Sequence, residues 1–179
     1  MVSGLLLGAQ GEESAMLGGL IRTLKSKIAS ACHPLFLPLL LCEIVAVAHS
    51  KEVDIATKNV FDLESSIGMN DYPEHAKRNA FETFDFSRIS RSLNGETSRL
   101  ANYEKWISSH IELVKAISKY EGTLFVETGE TQRLANQLQV ELREYGEYLL
   151  GWNVDLLART VCQQKIVQAQ IQTVRAHIN

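Results

Sequence analysis

The segment from Asp85 to Leu124 reads DFSRISRSLNGETSRLANYEKWISSHIELVKAISKYEGTL, and its spacing decides the fold class. Phe86, Leu93, Leu100, Ile107 and Val114 recur every seven residues. Ile89, Tyr103, Ile117 and Leu124 take the companion positions, with Glu96 and His110 as the polar exceptions. Apolar residues that alternate three and four apart line one face of a helix, because a turn closes about every 3.6 residues. A half-buried strand would alternate with period two, and no stretch of the chain sustains that pattern. The spacing predicts a long helix from about Asp85, packed in a bundle or coiled coil. Gly95 weakens it locally, by about 1 kcal/mol relative to alanine.

The partner for that seam lies upstream. Residues 32–48, CHPLFLPLLLCEIVAVA, form the most apolar run of the chain and hold two of its three prolines. Pro34 suits the first residue of a helix, where a missing N–H costs nothing. Pro38 follows one turn later, at the edge of what a helix accepts without kinking. Apolar residues lie on nearly all faces up to Ala48, after which Lys51, Glu52, Asp54, Lys58, Asp62 and Glu64 narrow the stripe to Val53, Ile55, Val60, Phe61, Leu63 and Ile67. This predicts one helix from about 34 to 67, fully buried at its start and amphipathic at its end, with Gly68 as the stop. A bilayer span takes about 20 largely apolar residues. The run is shorter and contains Glu43, so a buried core helix is the better reading.

Residues 1–13 are small and glycine-containing, expected to be poorly ordered, and they lack the basic start of a signal peptide. A shorter helix is expected from Ser14 to about Ser30, with Leu17, Leu20, Ile21, Leu24 and Ile28 on one face. Residues 69–84 show no periodicity, and Pro73 beside Asn70-Asp71 favours a loop. A last helix is expected from about Thr131 to the end. Leu134, Leu138, Leu142, Tyr145, Leu149, Trp152 and Leu156 mark its first half. That register then meets Arg159, Gln163 and Gln170, while Leu157, Val161, Val167, Ile171, Val174 and Ile178 suggest a shifted stripe, with a bend near Gly146 or Gly151.

The 179 residues suffice for one domain with a sizeable core, here residues 14–179. A net charge of −3 gives no electrostatic reason to expect nucleic acid or an anionic membrane. Cys32, Cys42 and Cys162 are odd in number and share no CxxC spacing, which argues against a disulfide framework or zinc site and for a reducing, cytoplasmic setting.

Few residues point to chemistry. Glu141, Glu144 and Glu147 recur every three residues, but metal sites in bundles pair such carboxylates with Glu-x-x-His, which the chain lacks, so they read as a solvated face. No nucleophile motif and no phosphate loop is present. His33 precedes Pro34 and reads best as closing the turn into the helix. His110 lies on the seam and reads best as a buried polar contact fixing register. Arg159, Gln163 and Gln170 fall where the upstream seam would place core residues, and either face solvent beyond a bend or form a polar layer. Together His33, His110, Arg159 and Gln163 are the candidates for a ligand pocket between helices. No metal site and no cofactor is indicated.

The segments His33–Leu41 (HPLFLPLLL), Asp62–Gly68 (DLESSIG), Asp85-Phe86 through Leu100, and Gln168–Val174 (QAQIQTV), taken in this order, resemble a group of uncharacterised helical proteins of filamentous fungi. Some of these look like the soluble helical part of CorA-type magnesium transporters, whose Gly-Met-Asn tripeptide has a counterpart in Gly68-Met69-Asn70, although no apolar span precedes it here. The resemblance implies an α-helical fold and supplies no activity, substrate or catalytic residue.

The expectation is an all-α protein: an elongated antiparallel bundle of three long helices plus a shorter N-terminal one, each long helix spanning roughly 50–70 Å at about 1.5 Å per residue. Its expected role is protein contact, either self-association into a homo-oligomer or binding of a protein partner, rather than membrane work. The alternative is an enzyme or small-molecule binder with a pocket between helices.

Overall fold

A computed structural model describes residues 33–67, 86–119 and 130–178, together with Gly18 and Arg22. Three helices have defined bounds among the described residues, α1 (Phe36–Ile67), α2 (Phe86–Ser118) and α3 (Glu130–Ile178). Among the described residues there is no strand, and the chain is all-α. The expected N-terminal helix and the expected loop at 69–84 lie outside the described residues, save that Gly18 and Arg22 are helical. Among the described residues no helix is long and apolar enough to cross a membrane.

The start of α1 follows from three residues. His33 Nδ1 accepts a hydrogen bond from the Leu35 N–H (3.1 Å), and the His33 carbonyl accepts one from Phe36 N–H (3.1 Å). The imidazole thus takes up an amide that the first turn leaves without a helical partner. Leu39 N–H to the Leu35 carbonyl (3.1 Å) is the first full helical bond. Pro38 stands one residue before it, so its missing N–H removes nothing and the helix runs on.

Packing divides the chain into two compact units, residues 1–47 with 110–153 and residues 48–109 with 154–179. In the first, Phe36, Leu39, Leu40 and Cys42 of α1 are buried against Val114 of α2 and Leu142 and Leu149 of α3. Ile44, Ile117, Leu138, Tyr145 and Trp152 pack around them partly exposed. Each fully buried leucine is worth about 1.5–3 kcal/mol relative to exposure. The run at 32–48 is nevertheless not buried all round, because Val45 and Val47 face outward.

In the second unit, Val53, Ala56 and Val60 of α1, Leu93, Leu100, Tyr103 and Ile107 of α2, and Leu156, Val167 and Val174 of α3 are buried. The seven-residue spacing read in α2 is the spacing of its core, with Leu93, Leu100, Ile107 and Val114 all without solvent contact. The same spacing runs through α1 as Leu39, Ala46, Val53 and Val60. Ile55 and Phe61, expected in the α1 stripe, are instead exposed.

The shifted stripe expected in the second half of α3 is overturned as well. Glu130–Ile178 is a single helix whose buried residues keep one register, Leu142, Leu149, Leu156 and Gln170 alternating with Gly146, Asn153, Thr160, Val167 and Val174. The companion positions sit one residue beyond Tyr145, Trp152 and Arg159. No shifted stripe is needed.

Candidate functional site

The polar residues that reach the seams are held from their own backbone outward. Asn153 is fully buried, and its Nδ2 donates to the Leu149 carbonyl one turn back (2.7 Å). Its Oδ1 therefore faces His110, 2.8 Å from Nδ1. An amide oxygen only accepts, so Nδ1 carries the proton and the tautomer is settled. Burial pushes the His110 pKa below its usual value, and the Asn153 bond offsets this only in part. A neutral imidazole whose Nδ1–H is directed to one amide fixes the register of α2 on α3 in the first unit, at the price of a buried polar pair.

Carboxylate–phenol pairs tie the edges of the seams. Tyr145 Oη donates to Glu43 in the first unit, and Tyr103 Oη donates to Glu52 in the second (2.5 Å). Burial and then the adjacent carboxylate hold both phenols protonated, Tyr103 pushed up to about 12 and Tyr145 further. Elsewhere in the second unit Asn59 Nδ2 and Arg99 Nη1 donate to Glu96 Oε1 (3.0 and 3.3 Å), and Gln164 Nε2 donates to Glu104 (2.8 Å).

The four candidate pocket residues do not share one unit. His33 and His110 are buried in the first, His33 in capping α1 and His110 against Asn153. Arg159 and Gln163 belong to the second. Arg159 is exposed and donates from Nη2 to Asp54 (2.5 Å), while Gln163 is half-buried. Among the described residues no group of three or more His, Cys, Asp or Glu is placed to hold a metal ion.

Sequence reasoning missed Asn153 and the two carboxylate–phenol pairs. The seven-residue repeat through Asn153, Thr160, Val167 and Val174 was the available clue, masked by the larger Tyr145 and Trp152 next to it. Pairs between helices far apart in sequence leave no such mark.

Outside the seams, large apolar side chains remain in water. In the first unit Leu113, Val140 and Tyr148 are more than half exposed, with Tyr148 tilted against Trp152 at 6.1 Å. In the second, Trp106 is 52% exposed and tilted against Tyr103 at 5.7 Å, and Ile55 and Val154 are exposed. Compared with family models, curated proteins and solved structures, the chain matches none.

Proposed function

We propose that this is a non-enzymatic helical-bundle protein that works through protein contacts, foremost with a second copy of itself. The observation that carries this reading is Trp106, half exposed although the seam of its own helix is filled. A tryptophan left in water beside a packed core is the kind of anchor that dominates protein interfaces. Its ring is already oriented by Tyr103, so little rotamer freedom is lost on docking.

An antiparallel order of neighbouring helices accompanies the proposal. Within the second unit, α1 falls from Asn59 to Glu52 as its α2 partners rise from Glu96 to Tyr103. Within the first, His110 of α2 lies against Asn153 of α3, and Ser118, further along α2, lies against the earlier Gly146. A reducing, cytoplasmic setting fits the free thiols of Cys42 and Cys162.

Sedimentation across a hundredfold range of concentration tests the association. The wild-type chain is expected to gain mass with concentration, and Trp106→Ala to shift that rise to higher concentration with an unchanged melting curve. A strict monomer throughout, with no partner retained in a pull-down, sinks the proposal.

A further inference from the structure

We infer that a cavity in the first unit binds a small amphipathic anion, an apolar tail ending in a carboxylate. The cavity has a volume of about 240 Å³. At about 30 Å³ per water this is the room of roughly eight waters, close to the size of a medium-chain acid such as octanoate. Leu35, Leu39 and Leu142 supply its apolar surface. Leu39 and Leu142 also belong to the buried core, so this surface is anchored. Ser118 and Gln139 add hydrogen-bonding groups, and Lys119 and Arg143 complete the lining.

The charge pattern selects the ligand. Among the described residues, two cations and no acidic residue line the cavity. Arg143 has a partner in Glu147, but at 3.5 Å between two well-exposed side chains that pair is weak and readily exchanged. A bare inorganic anion gains nothing from the leucines, and a neutral hydrocarbon gains nothing from the cations. A molecule with one apolar end and one carboxylate satisfies both, the carboxylate able to take a bidentate pair from Arg143.

Ser118 supplies a second, independent observation. Its Oγ is buried and has no hydrogen-bond partner among the described residues. It is held against Gly146, where an added Cβ would stand 2.5 Å from it. A rotation about χ1 re-aims this hydroxyl, and a carboxylate in the cavity gives it the acceptor that the protein does not.

Titration calorimetry of the full chain with sodium octanoate, and separately with 1-octanol, tests the inference. Octanoate is expected to bind at one site at least about tenfold more tightly than octanol, as one good charge-assisted contact allows. Lys119→Gln combined with Arg143→Gln is expected to abolish that preference without altering the melting curve, since both side chains are exposed. Equal binding of acid and alcohol, no binding of octanoate at millimolar concentration, or a preference that survives the double substitution overturns it.

Discussion

Gln170 and Asn153 occupy neighbouring stripes of one seam and solve the same problem differently. Asn153 uses both ends of its amide, on the Leu149 carbonyl and on His110. Gln170 is only 1% exposed, and neither its Nε2 nor its Oε1 has a hydrogen-bond partner among the described residues. A buried polar group left without a partner costs about 1–3 kcal/mol. Gln170→Leu, matched in shape to Leu142, Leu149 and Leu156 on the same stripe, is expected to stabilise the fold by about that amount. Urea denaturation of the variant measures it; a loss of stability would mean that the amide finds a partner in solution. Thr160 shows the third solution, its hydroxyl turned back onto the Leu156 carbonyl at 2.8 Å.

These residues explain why α3 was harder to read than α2. In α2 the seam is filled by Leu93, Leu100, Ile107 and Val114, large apolar side chains that announce their spacing. In α3 the middle of the seam is taken by Gly146, Asn153 and Thr160, small or polar, while Tyr145 and Trp152 flank it half-buried. Reading register from the bulkiest residues therefore lands one position early, and invents a shifted stripe to recover. The start of α1 fared better, because His33 and Pro34 are local devices that need no knowledge of partners. The cavity was not legible at all, since Leu35 and Arg143 come together only through packing. On α2 one position is open to improvement: Gly95 is exposed, and a Cβ there would meet nothing within 4 Å. Gly95→Ala is expected to raise stability by about 1 kcal/mol, seen as a higher thermal midpoint.

At the scale of the molecule, the two buried histidines link stability to pH. Burial lowers the pKa of both His33 and His110 below the usual 6.5 that the unfolded chain retains. The unfolded state therefore takes up protons first. Stability is fully present above pH 6.5 and is lost as the pH falls through that value toward the lower folded-state pKa values. The melting temperature is expected to drop between pH 7.5 and 5.5, above the range where ordinary carboxylates near pH 4 protonate. His33→Asn retains an N-cap and removes one titrating ring, so its melting temperature should vary less over the same interval. An equal slope in the two proteins would remove His33 from the account.

The carboxylate–phenol pairs have a consequence for covalent labelling. Reagents that iodinate or nitrate tyrosine attack the phenolate, and burial together with Glu43 and Glu52 keeps Tyr145 and Tyr103 in the protonated form well into alkali. Each hydroxyl is also turned toward a carboxylate of α1 rather than toward water. Ring modification at these two positions thus reports that α1 has let go of its neighbours, which makes them built-in markers of helix separation.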